Sequence, residues 1–144
     1  MDIIRLMENV PYLSVTRKAL GLSGLDAYLK RRTEGVGFIA PLDSFYAGFD
    51  RMFHFLELGK SEERMRRFFM QLIIDDALTF IKDKDARLYT KTGRRYSYSQ
   101  TSKTSASLLL WEGVFNFEVV TYITVNDMVL FLVKDYKKEN GKII

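Results

Sequence analysis

The sequence predicts an α+β domain, with N-terminal helices packed on a C-terminal antiparallel β-meander. Three observations predict it. Across residues 42–82, apolar side chains recur three or four positions apart, the period of a helix face. From about residue 86 the period becomes two, and β-branched and aromatic residues dominate. Turn formers at Lys91-Thr92-Gly93, Glu112-Gly113, Asn126-Asp127 and Asn140-Gly141 punctuate that second part. The 144 residues suit one domain, 1–144, long enough to bury a core without staples.

Residues 1–40 divide into short pieces. Ile3, Ile4 and Met7 have helical spacing, and Pro11 ends that piece. Leu13–Leu22 and Leu25–Arg32 are two further short helices, parted near Gly21 or Gly24. The stretch 35–39 is a loop or a short strand. The first main helix covers 42–58. Pro41 stands at its entrance, Asp43 or Ser44 caps its free amides, and Phe45, Phe49, Met52, Phe53 and Leu56 form one stripe before Gly59 stops it. The second covers 61–82, capped by Ser61, with Glu62 and Glu63 favouring its positive end. Its second half is apolar nearly all round, which predicts a central place in the core.

The meander spans 86–144. Ala86–Thr90 and Arg94–Gln100 flank the first turn, and Leu108–Trp111 and Val114–Val125 flank the second. Met128–Tyr136 follows Asn126-Asp127, where Val129, Phe131 and Val133 favour strand over a rival helix at 126–139. Residues 142–144 follow the last turn. Trp111 and the phenylalanines at 45, 49, 53, 68 and 69 belong to the core. An exposed edge among the last strands invites homodimerisation by strand pairing.

Composition excludes several functions. With no Cys, there is no disulfide, thiolate metal site or cysteine nucleophile, and one His excludes any site needing two imidazoles. No Gly-rich phosphate loop and no Gly-x-Ser-x-Gly elbow occurs. No run reaches the length of a membrane span, and the acid-bearing start lacks the order of a signal peptide. A soluble, cytoplasmic protein without a cofactor is expected. The net charge of +4 is unevenly held: residues 11–32 and 91–104 carry +4 each, and the rest of the chain is net −4. Such segregation points to an anionic partner, DNA or RNA or an acidic protein surface.

The segment 91–104 has four cations and no acid. Lys91, Arg94, Arg95 and Lys103 can neutralise phosphates, while Tyr96 and Tyr98 share one strand face and can stack on unpaired bases. The second basic segment holds Arg17, Lys18, Lys30, Arg31 and Arg32. Its Leu20-Gly21-Leu22-Ser23 core, followed by a basic amphipathic stretch, resembles the turn and recognition helix of helix-turn-helix proteins. It departs from their pattern at Arg17, where they carry a small residue, and at Gly24. The resemblance implies a second helix that enters the major groove. His54 and Glu57, one turn apart, with Asp75 and Asp76 on the next helix, form a candidate divalent metal site. The order His-x-x-Glu, once, is the reverse of the usual helical carboxylate motif. Alternatively, one aspartate pairs with an arginine such as Arg51 or Arg64 and the other is in solvent. Taken together, these features predict a small basic nucleic-acid-binding protein, a regulator among the options. The alternative is a non-enzymatic protein-interaction module, an inhibitor or assembly subunit, docking on an acidic surface.

Overall fold

A computed structural model describes residues 1–49, 62–100, 102, 103, 105–110 and 115–138. Three short helices open the chain: α1 (Ile3–Glu8), α2 (Ser14–Ser23) and α3 (Leu25–Arg31). Asp2 caps α1 by accepting the Arg5 amide at 2.9 Å. Gly24, at φ 76°, turns α2 into α3 within one residue. Leu13, before α2, has no side-chain oxygen to serve its free amides. Asp43 serves them from a distance: its Oδ1 accepts the Val15 amide and its Oδ2 the Ser14 hydroxyl, both at 2.9 Å. At the other end, Arg66 Nη1 donates to the Ser23 carbonyl at 3.0 Å. An acid at the amino end and a cation at the carboxyl end both suit the helix dipole.

Among the described residues, seven strands form one curled sheet: β1 (Gly37–Pro41), β2 (Ile73–Ile74), β3 (Arg87–Tyr89), β4 (Arg95–Gln100), β5 (Ala106–Leu110), β6 (Phe115–Val125) and β7 (Met128–Lys138). Their order is β2-β1-β7-β6-β5-β4-β3. The α+β class holds, and β3 to β7 are antiparallel neighbours with the expected turns at 91–93 and 126–127. The sheet is nevertheless mixed, because β1 lies parallel on β7, pairing Gly37 with Val129 through to Pro41 with Val133. Helices and strands also alternate before residue 86. A strand between two others, buried on both faces, reads as a continuous apolar run without alternation. All five residues of β1 are buried, which is why its sequence left loop and strand open.

The expected helix 61–82 is broken. It comprises α4 (Glu62–Met70), strand β2, and α5 (Leu78–Asp83). Leu72, Ile73 and Ile74 are buried on all sides, an environment in which period alone does not separate helix from strand. Pairing with Gly37 and Phe38 decides for strand, and the Ile39 amide donates to the Leu72 carbonyl at 2.9 Å. Of the expected helix 42–58, Asp43–Phe49 is a 3-10 helix, Leu42 precedes it outside any helix, and residues 50–58 lie outside the described residues. Asp43 caps α2 rather than its own segment. Trp111, the 112–113 turn and residues 139–144 also lie outside the described residues.

The edges of the sheet approach each other. Ile74 bridges Thr90, with the Asp75 amide on the Tyr89 carbonyl at 2.8 Å and the Lys91 amide on the Ile73 carbonyl at 3.0 Å. This closes one end of the curl. Phe38, Ile39, Phe69, Leu88, Leu108, Phe117 and Phe131 belong to one continuous buried cluster that takes in both faces of β1. Gly37 lets β1 fit: a Cβ there would stand 2.7 Å from Val129 Cγ1 and 3.2 Å from its carbonyl oxygen. Thr16, fully buried on α2, is satisfied in series. Its hydroxyl donates to the Pro41 carbonyl at 2.7 Å, so the buried Tyr46 hydroxyl donates to Thr16.

Candidate interaction surface

The closure between β2 and β3 brings the two basic segments together. Leu25 and Leu29 anchor α3 in the core, leaving Lys30 and Arg31 exposed at its carboxyl end and Tyr28 half-buried. Arg32 follows. Its Nη1 donates to the Tyr28 hydroxyl at 2.7 Å and to Asp75 Oδ1 at 3.0 Å, and its Nη2 donates to the Asp75 carbonyl at 3.2 Å. From the opposite segment, Lys91 Nζ stands 4.5 Å from the centre of the Tyr28 ring, and Arg32 Cζ stands 5.9 Å from it. Two cations drawn to one aromatic ring join helix, sheet edge and hairpin. Burial lowers the Arg32 pKa, but the Asp75 hydrogen bond and Tyr28 more than offset this and raise it, so this cation is permanent.

The β3–β4 hairpin has the expected turn. Thr90 Oγ1 accepts the Arg94 amide at 3.0 Å, and Gly93 takes φ 86°. Lys91 and Arg95 are exposed and Arg94 is half-buried, all at this end of β4. Lys103 is exposed beyond the other end, in the β4–β5 connection, so it does not join them. Tyr96 and Tyr98 share a face as expected, but that face is the concave one. Tyr96 is 3% exposed, its ring centre 5.8 Å from that of Phe117. Tyr98 is half-buried among Phe80, Tyr122 and Phe131, at 5.5, 5.7 and 5.9 Å. Desolvation, and then Tyr122, raise the Tyr98 pKa. The role of open stacking platforms is therefore corrected: Tyr96 is a core residue, and Tyr98 is held by other rings.

Arg17 and Lys18 are exposed on α2, opposite its buried face of Thr16, Ala19, Leu20 and Ser23. The helix-turn-helix resemblance does not carry through. Gly21 is inside α2, the break is the single residue Gly24, and α3 has 7 residues with no three- or four-residue turn before it. Asp75 and Asp76 are exposed in the turn after β2 rather than buried in a helix; Asp75 does pair with an arginine, Arg32, while Arg51 lies outside the described residues. His54 and Glu57 lie outside the described residues. Among the described residues, no group of three or more His, Asp or Glu could hold a metal ion. No described helix is long and apolar enough to cross a membrane. Sequence reasoning missed Tyr28 as the meeting point. Its signal was an aromatic one turn before an arginine inside a basic segment.

Among the described residues, a curled, mixed seven-stranded sheet with helices against it defines the class by fold. No known protein family matches the sequence. No curated protein sequence matches it. Among solved structures, the chain is similar to the FAS1 domain pair of the insect cell adhesion molecule fasciclin I, at a TM-score of 0.69 and 10% identity, over 94% of this chain and 50% of that one. The chain thus spans about half the length of that structure. At this identity the likeness shows the fold alone.

Proposed function

We propose that this chain is a non-enzymatic protein-interaction module whose basic face docks on an acidic protein surface. The face comprises Lys30, Arg31 and Arg32 at the end of α3 with Lys91, Arg94 and Arg95 at the hairpin turn. The observation that carries the reading is the meeting of these two segments at Tyr28, which holds Lys91 and Arg32 in fixed positions. Cations held in place lose less freedom on docking than loose ones. The similar FAS1 domain pair belongs to a cell adhesion molecule, which supports a binding role while fold alone assigns none.

Nucleic acid is the second reading, supported by the acid-free composition of 91–104. It ranks second because Tyr96 is buried and Tyr98 is packed among rings, which leaves phosphate contacts without the base stacking expected of a single-strand binder. Charge reversal tests the preferred reading. Arg31→Glu with Lys91→Glu removes capture of a polyglutamate peptide at low salt, while exposed Lys134→Glu changes it little. Equal loss in both variants would mean that net charge, not this face, does the binding.

A further inference from the structure

A second surface lies at the open end of the curl. β5 pairs with β6 only from Asn116 to Val119, where the register of β6 against β7 also shifts. Beyond Val119, among the described residues, no strand pairs with β6 on that side. The free stretch is Val120-Thr121-Tyr122-Ile123-Thr124-Val125, six residues without a charge or a proline. Val120 is 51% exposed and Tyr122 39%. Natural sheets guard free edges with Lys, Pro, short strands or a covering element, and an unguarded one is a template for pairing. Two cavities of about 230 Å³ each open beside this edge and share Tyr98 and Tyr122 as their common wall. One is lined also by Gln100, Ser105 and Lys103, the other by Phe80 and Lys84. Each cavity has one lysine; the cavity beside Phe80 is mainly apolar and the cavity beside Gln100 mainly polar, and neither lysine is in an ion pair with a described residue. Two acids flank Lys84 in the chain. Asp85 is held by Arg87 at 3.0 Å, which leaves exposed Asp83 beside Lys84.

We propose that Val120–Val125 is the docking edge for an extended acidic segment of a partner protein. The segment adds a strand to β6, seats an apolar side chain in the cavity beside Phe80 and a hydroxyl side chain in the one beside Gln100, and sets carboxylates on Lys84 and Lys103. Alternate side chains of an added strand are about 7 Å apart on one face, so neighbouring cavities suit its period of two. Charge selects the occupant. An antiparallel second copy would bring the Lys103 end of one edge against the Lys84 end of the other, cation against cation, whereas an acidic segment meets both favourably. This site is separate from the face around Tyr28, so either can fail without the other.

The test uses the full chain and a short capped peptide that places Leu or Phe two positions from Ser or Thr and ends in aspartate on both sides. Binding is followed by fluorescence anisotropy, and its place by amide hydrogen exchange. The expected result is saturable binding, slowed exchange at alternate amides within 120–125, and a loss on the order of tenfold in Lys84→Glu with Lys103→Glu. The same peptide with alternate amides N-methylated keeps its side chains and loses the strand pairing, so it should not bind. Lack of saturation, equal binding of the methylated peptide, or protection elsewhere would overturn the proposal. So would self-association that protects 120–125 without peptide, because the occupant would then be a second copy.

Discussion

Removing the Asp43 carboxylate should destabilise the protein although Asp43 lies outside every α-helix. The reason is its reach to α2. Val15 is the second residue of α2, and its amide has no partner within the helix. Asp43 Oδ1 accepts it at 2.9 Å in a partly buried setting, and Oδ2 accepts the exposed Ser14 hydroxyl at the same distance. The hydroxyl regains water when its partner is lost, so its share is small. The partly buried amide regains it less readily, and loss of an N-cap costs about 0.5–2 kcal/mol. We therefore expect Asp43→Ala to cost about 1.5 kcal/mol, near the upper half of that range because the acceptor is charged. In a chain of this length that lowers Tm by about 5 °C. Asp43→Asn keeps an acceptor and should lose only the charge–dipole part, about 0.5 kcal/mol. Ser14→Ala should cost less than about 0.5 kcal/mol. Urea unfolding at neutral pH reads all three, with the slope unchanged if only the folded state is affected. An Asp43→Ala midpoint equal to the parent's would refute the cap, and a Ser14→Ala loss as large as that of Asp43→Ala would misplace its energy.

Two further predictions concern the core. Gly37→Ala should cost about 2–3 kcal/mol by urea unfolding, since its Cβ would meet Val129 Cγ1 at 2.7 Å and Ile74 Cβ at 3.1 Å between two paired strands; an unchanged midpoint would show that β1 sits further from its neighbours. Burial raises the Tyr46 pKa, so folding favours the neutral phenol: that contribution is complete below the unfolded value near pH 10 and is lost as pH rises towards the higher folded value. Tyr46→Phe should therefore flatten the fall in urea midpoint above about pH 10, and an identical alkaline slope would contradict the burial of that hydroxyl.

The legible part of the fold was what neighbouring residues decide among themselves. Gly93 and Asn126 mark turns because their positive φ values, 86° and 54°, suit Gly and Asn, and the hairpins followed from them. What was not legible was decided by distant partners. Ile73-Ile74 is a strand because Gly37 and Phe38 pair with it, and Asp43 caps a helix 28 residues earlier in the chain. Charge segregation did indicate two segments, and Arg32 and Lys91 of those segments meet at Tyr28. The direction in which Tyr96 and Tyr98 face was not readable, because alternation places two side chains together without saying which side of the sheet is the core.

The most direct test of the basic face compares a polyglutamate peptide with an oligothymidylate of about equal charge, both titrated into the protein over a salt series. If the face recognises charge on a protein surface, the two should bind within about threefold of each other, with the same salt slope and no effect of Tyr98→Ala on either. Each stacked base would add about 1–3 kcal/mol. An oligothymidylate bound more than about tenfold tighter, with the advantage lost in Tyr98→Ala, would contradict the account and make nucleic acid the partner.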